Sequence, residues 1–362
     1  MSRLVLTGGG TGGHIMPLLD VGDVLCQKGW KVRFIGSRYG LEGKLVPQRG
    51  YSLTRLPVRG MMGRGFVSRA GRGVLVPIAT AMAILALVLF RPDAVFSTGG
   101  YAAFPVLAAC RICGIPYVLL EQNAYPGKVN EIFAKHARKV FVGFEPAIRY
   151  LNGDVEITGN PVSPEFFQIP PAAFPDGPVQ MVILGGSQGS RVLNRLMVQS
   201  LSAIQSLGIS ITHQTGPAEH AGVSSAYRDL QIPSRVEAFI YGIPELLSRT
   251  HLVLSRAGAM SVSEIAASGR SGFFIPFAGA YHDHQTMNAR ALVDENAAWL
   301  LSEREAQDGA FIKVLKEILS DPNELVRRGN RARELSNPQA LSRITSFLLG
   351  LVQPAGGAHA LS

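Results

Sequence analysis

Residues 4–14 read Leu-Val-Leu-Thr-Gly-Gly-Gly-Thr-Gly-Gly-His, and their types and spacing could do chemistry. The apolar run at 4–6 has the character of a buried strand. The glycines that follow let the chain turn sharply and let another molecule approach the backbone. His14 opens the next element, because residues 15–28 have helical length and spacing. The loop therefore feeds a helix N-terminus, where free N–H groups and the helix dipole favour an anion. The pattern recurs at 179–184, an apolar run that stops at Gly185-Gly186-Ser187-Gln188-Gly189-Ser190 before a helix from Arg191.

Gly8-x-Gly10-x-x-Gly13 matches the dinucleotide fingerprint. That fingerprint also asks for an Asp or Glu at the end of the second strand, to hold the ribose hydroxyls. Here the second strand ends Ile35-Gly36-Ser37-Arg38, without the acid, which counts against a nicotinamide dehydrogenase. The loop also lacks the Gly-Lys-Ser/Thr ending of a phosphate-binding NTPase.

These loops need a scaffold. A chain of 362 residues exceeds one ordinary core, so two domains are expected. Strands are predicted at 31–36, near 53, at 93–97, 117–120 and 139–143, and then at 179–184, 209–214, 236–239, 252–255 and 272–276. Helices are predicted at 41–48, 244–248, 261–268, 310–319, 324–336 and 341–352, with a frayed tail at 354–362. Strand–helix–strand repetition implies a parallel sheet in each half, a doubly wound α/β class. Residues 153–178 hold six prolines and little periodicity, which reads as a linker. The boundaries expected are 1–162, 163–340 and a closing segment 341–362.

The net charge of +9 points to anionic partners. Between residues 43 and 92 stand eight basic residues (Lys44, Arg49, Arg55, Arg59, Arg64, Arg69, Arg72 and Arg91) and no acidic one. Few aromatics interleave with them, so nucleic acid is not the expected partner. Residues 74–90 are the most apolar stretch, 17 residues against the roughly 20 that span a bilayer. They are predicted to be a crossover helix whose exposed face could rest on an anionic leaflet. Cys26, Cys110 and Cys113 make no disulfide framework or zinc site. A reducing cytosol fits, with no signal peptide.

The ordered set of motifs is more specific than any one of them. It runs GGGTGGH, Gly99-Gly100-Tyr101, Glu121-Gln122-Asn123, Gly159-Asn160-Pro161-Val162, GGSQGS with Asn194 downstream, Ala259-Met260-Ser261-Val262-Ser263-Glu264, and His284-Gln285-x-x-Asn288-Ala289. Together these closely resemble the MurG family of N-acetylglucosaminyltransferases, from about Arg3 to the final helices. The resemblance implies a GT-B fold, two Rossmann-like domains facing across a cleft. It implies inverting transfer of N-acetylglucosamine from UDP-GlcNAc to the 4-hydroxyl of the muramyl sugar of lipid I, giving lipid II for peptidoglycan. It implies a peripheral protein at the cytoplasmic face of the membrane, with the lipid-linked acceptor, an anionic membrane surface and other cell-wall synthesis proteins as partners. The family needs no metal or other cofactor to hold the nucleotide, and no DxD pair here asks for one.

By that resemblance Glu264 binds the ribose, and residues 256–263, with Ala259 to Ser263 at their core, hold the diphosphate together with Ser187. Phe239 and Ile240 give the uracil a wall and backbone bonds, and Gln285 binds the sugar hydroxyls. His284 beside it is either a ligand or a packing residue. Thr11, Gly12, Gly13 and Asn123 also reach the donor. The first half takes the acceptor pyrophosphate at Gly9, Gly10, Gly99 and Gly100, with Tyr101 and Asn130 in contact. His14 is the expected general base for the acceptor hydroxyl, since histidine titrates near neutral pH. Two positions depart from the family: Ser163 replaces an arginine near the nucleotide, and Leu120 replaces a histidine. The alternatives are another GT-B enzyme (a glycolipid glycosyltransferase or a UDP-GlcNAc 2-epimerase) and an inactive UDP-sugar-binding scaffold.

Overall fold

The computed structural model describes residues 1–9, 12–58, 75–173, 177–186 and 188–352. Of the residues named above, Gly10, Thr11, Arg59, Arg64, Arg69, Arg72, Ser187 and the tail at 354–362 lie outside the described residues. The chain divides into two compact units. The first comprises Met1–Gln122, Pro126–Pro161 and Gln339–Ser362; the second comprises Asn123–Tyr125 and Val162–Pro338.

The first unit is built on seven parallel strands in the order β3-β2-β1-β4-β5-β6-β7. They are β1 (Arg3–Thr7), β2 (Lys31–Ser37), β3 (Leu53–Leu56), β4 (Ala94–Ser97), β5 (Tyr117–Glu121), β6 (Lys139–Val142) and β7 (Val155–Ile157). Between them run α1 (Gly12–Gln27), α2 (Glu42–Gln48), α3 (Leu75–Phe90), α4 (Phe104–Cys113) and α5 (Lys128–Ala134). The alternation of β1 decides its two faces. Leu4 and Leu6 join Ile15, Leu18, Ile344 and Leu348 on one side. Val5 joins Ala79, Ala83 and Leu87 of α3 on the other. Parallel sheets buried on both faces read as continuous apolar runs, and β1 does.

The second unit repeats the plan with six parallel strands in the order β10-β9-β8-β11-β12-β13. Its elements are β8 (Gln180–Leu184), α6 (Arg191–Gln205), β9 (Ser210–Gln214), α7 (His220–Asp229), β10 (Ser234–Glu237), α8 (Ile243–Ser248), β11 (Leu252–Ser255), α9 (Ala259–Ser268), β12 (Ser271–Phe274), α10 (His284–Val293), β13 (Ala298–Leu300), α11 (Phe311–Ser320) and α12 (Pro322–Leu335). The last helix, α13 (Ala340–Val352), returns to the first unit and packs on α1.

Residues 153–178 are not a plain linker. Their first part forms β7, which pairs with β6. Three residues are too short for a period to be read, and the strand is held from the side. Lys139 on β6 bridges Asp154 at 2.9 Å and Glu156 at 3.0 Å. In α4 Cys110 is buried and Cys113 exposed, and both are free thiols. Among the described residues, no helix is long and apolar enough to cross a membrane.

Candidate active site

In each unit the strand order reverses between two neighbours, and the crevice at their carboxyl ends is where doubly wound sheets take ligands. In the first unit those neighbours are β1 and β4, which end in register at Thr7 and Ser97. Both run straight into glycines, and the two turns close on each other. Gly100 has φ +79°, and a Cβ there would sit 2.7 Å from the Gly9 carbonyl oxygen. A side chain at Gly8 would meet the Thr98 hydroxyl at 2.1 Å. Only glycine permits this approach.

His14 lies in the first turn of α1, half-buried beside these turns. Its Nδ1 is 3.0 Å from the Thr98 carbonyl oxygen. The Thr98 hydroxyl in turn donates to the His14 carbonyl at 2.9 Å. A carbonyl only accepts, so Nδ1 carries the proton and Nε2 keeps its lone pair in the neutral ring. One residue earlier, Gly13 is freed from the helical ladder, because Pro17 has no N–H to give it. The Gln122 amide fills that place by donating to the Gly13 carbonyl. The end of β5 thus fixes the start of α1.

Asn130 stands behind the turn, not on it. It is 2% exposed, and its amide nitrogen donates to the Leu120 carbonyl and to Glu121. Its Oδ1 is the atom a Cβ at Gly99 would strike, at 2.7 Å. That Oδ1 is buried and accepts no hydrogen bond from the described residues. Tyr101 is half-buried against the α3–α4 core, and burial raises its phenol pKa. Glu42, missed in the sequence, lies beneath the loop. It is 1% exposed and accepts the Ser37 N–H at 2.8 Å. Leu120 is fully buried in the sheet core, so that departure from the family is a packing residue.

In the second unit the reversal falls between β8 and β11. The loop 185–190 follows β8 and ends at Ser190, whose hydroxyl caps α6. A Cβ at Gly189 would lie 2.0 Å from the Thr215 carbonyl. After β11 comes α9, which begins at Ala259, so residues 259–263 are its first turns and not a loop. Val262 N–H makes the first helical bond, to Gly258 at 2.9 Å. The N–H groups of Ala259, Met260 and Ser261 precede that ladder and face the end of the helix where anions bind. The Val262 side chain is fully buried, so it offers a ligand only backbone. Ser261, Ser263 and Glu264 are half-buried along the same helix.

Gln214, also missed, ties two of these loops together. It donates to the Gly186 carbonyl at 2.9 Å and accepts the Ile240 N–H at 3.0 Å. The Ile240 side chain is buried and its N–H is spent on Gln214. Phe239 and Tyr241 are the exposed rings beside it, edge to face at 4.8 Å. Gln285 accepts the Phe277 N–H at 3.0 Å, and His284 Nδ1 lies 2.9 Å from the Tyr281 carbonyl. Asn123 belongs to this unit: Asn288 donates to its Oδ1 at 3.2 Å and to the Ala257 carbonyl at 3.1 Å. Asn194 is 2% exposed and binds Thr215, Glu219 and His213, so it supports the neighbouring loop from below. Ser163, half-buried, precedes a short helix at Pro164–Phe167.

Gly9, Gly99, Gly100, Tyr101 and His14 are thus gathered in the first unit, and Asn123, Ile240, the start of α9 and Gln285 in the second. The chain matches the glycosyltransferase family 28 N-terminal domain over residues 4–142 and the family 28 C-terminal domain over 180–344. A protein of Xanthomonas euvesicatoria is 36% identical over 353 residues, covering 96% of this chain and 81% of its own. One of Shewanella sediminis is 34% identical, covering 96% and 97%. Both are described as UDP-N-acetylglucosamine–N-acetylmuramyl-(pentapeptide) pyrophosphoryl-undecaprenol N-acetylglucosamine transferases. The crystal structure of Acinetobacter baumannii MurG superposes with a TM-score of 0.78 at 27% identity, covering 97% of this chain and all of that one.

Proposed function

This chain belongs to the MurG family of glycosyltransferases with the GT-B fold, and from that premise we infer its reaction. It transfers N-acetylglucosamine from UDP-GlcNAc to the 4-hydroxyl of the muramyl sugar of lipid I, with inversion at the anomeric carbon. The product is lipid II, for peptidoglycan synthesis. His14 Nε2 takes the hydroxyl proton as the oxygen attacks the anomeric carbon and the bond to UDP breaks. Such proton transfer contributes roughly 10²–10⁴ in rate. The first-unit glycine turns hold the acceptor pyrophosphate. The N-terminus of α9 and the loop 185–190 hold the donor diphosphate and stabilise it as a leaving group. Glu264 accepts from the ribose hydroxyls and Gln285 binds the sugar.

The observation that carries this reading is the reciprocal pair between His14 and Thr98, which leaves a basic nitrogen beside two glycine turns. The protein works on the cytoplasmic face of the membrane, and α3 meets the lipid. Ile78, Met82, Leu85, Val88 and Leu89 are exposed along it, Leu89 by 71%. Ile112 on α4, which packs on α3, is exposed as well, and so are Arg91 and Arg111. An apolar stripe with basic neighbours suits an anionic leaflet.

Incubation with UDP-GlcNAc and a short-chain lipid I analogue tests the reaction. UDP should be released only when the acceptor is present, together with the disaccharide product. UDP release without acceptor, with conversion to the 2-epimer, would replace transfer by epimerisation. UDP binding with no turnover in either assay would leave a non-catalytic binding protein.

A further inference from the structure

We propose that Arg256 is a positioning residue that joins the diphosphate loop of the second unit to the segment holding Gln285, so that donor sugars are read in one fixed register. The proposal rests on the donor reading above. Arg256 directly follows β11 and its side chain is 14% exposed. Nε donates to the Ser190 hydroxyl at 2.9 Å. Ser190 ends the loop 185–190 and caps α6, so this bond fixes the end of the diphosphate loop.

Nη1 donates to the carbonyls of Ile275 and Pro276, both at 3.1 Å, and to Glu303 at 2.9 Å. These carbonyls immediately precede Phe277, whose N–H holds Gln285 Oε1 at 3.0 Å. Glu303 also accepts the Ala278 N–H at 3.3 Å, and the guanidinium lies 5.7 Å from the centroid of the Phe277 ring. One planar cation thus grips the phosphate loop on one edge and residues 275–278 on another. With Oε1 held by Phe277, Gln285 presents its amide nitrogen to a sugar oxygen. A lysine would keep the charge, but a single ammonium point cannot serve these directions in a rigid fork.

The test compares donors in the full chain. Arg256→Lys is expected to lower the preference for UDP-GlcNAc over its 4-epimer UDP-GalNAc, measured as a ratio of kcat/KM, by at least about tenfold, more than it weakens UDP affinity. In a Gln285→Ala background the same substitution should change that preference less than about threefold, because the two residues act through one segment. An unchanged preference, or effects that multiply independently, overturns the proposal. Should Arg256→Lys not fold, Glu303→Gln weakens the same node and should shift the preference in the same direction by about threefold; no shift counts equally against it. Wild-type protein inactive on the lipid I analogue would instead overturn the reaction itself, a result read without either variant.

Discussion

At the scale of residues, the proposed reaction turns on the tautomer of His14. The Thr98 carbonyl fixes the proton on Nδ1, and nothing in the side chain of Thr98 is needed for that bond. His14→Ala should therefore lower turnover by roughly 100-fold or more, with UDP-GlcNAc affinity within about threefold. Thr98→Val removes only the hydroxyl bond to the His14 backbone and should cost far less, about tenfold or under. Steady-state rates with calorimetry of donor binding separate the two; near-normal turnover in His14→Ala would remove the base. A second histidine acts on stability. His213 is fully buried between the Tyr227 hydroxyl, at 3.1 Å, and Asn194 Oδ1, at 3.0 Å. Burial lowers its pKa from 6.5 to about 4. Between these values the unfolded chain binds a proton that the folded chain refuses. The stabilisation is complete above pH 6.5 and is lost as pH falls toward 4, on the order of 3 kcal/mol. Thermal unfolding between pH 7.5 and 4.5 should fall more steeply for wild type than for His213→Gln; parallel curves would show that His213 is not the group responsible.

At the scale of elements, α3 has two opposite demands. Ala79, Ala83, Leu87 and Phe90 bury one face, while Ile78, Leu85 and Leu89 expose another. Sixteen residues rise about 24 Å, short of a roughly 30 Å hydrocarbon core, so the helix can lie on a bilayer but not cross it. Replacing both Leu85 and Leu89 with Glu should cut binding to anionic vesicles by tenfold or more, with turnover on a short-chain acceptor within about twofold. Equal vesicle binding by the variant would move the lipid contact elsewhere. This helix was legible because a 17-residue stretch in which Thr80 is the one polar side chain is a strong signal. The start of α9 was less so: Gly258 lets the helix begin at Ala259, two residues before the predicted start. Short or weakly apolar elements escaped altogether. β13 has three residues, and α7 buries only Val223 and Tyr227. In the site, motif residues were legible, whereas their supports were not. Gln122 stood in a motif without a role until Pro17, which withholds an N–H, gave it one, and Gln214 is needed because two loops meet at its amide. Such pairings join residues far apart in sequence, and no period or spacing reveals them.

At the scale of the whole molecule, chain order and compact units do not coincide. The first unit is completed only by residues after the second. In α13, Ile344 and Leu348 are fully buried in the first unit's core, and Phe347 meets Phe141 edge to face at 5.5 Å. Arg343 adds an ion pair to Glu156 at 2.7 Å, half-exposed and so worth little. Burying each aliphatic side chain contributes about 1.5–3 kcal/mol, so losing α13 removes several kcal/mol from a unit whose total stability is of the order of 5–15 kcal/mol. Residues 162–338 expressed alone should fold cooperatively and bind UDP within about tenfold of the full chain, since the described residues expected at the donor, apart from Gly12, Gly13 and Asn123, lie within them. Residues 1–161 alone should unfold at a lower temperature than the same residues with 339–352 joined through a flexible linker, by about 10 °C or more. Equal melting temperatures for those two chains would mean that α13 is an appendage, and that the first unit's core closes without it.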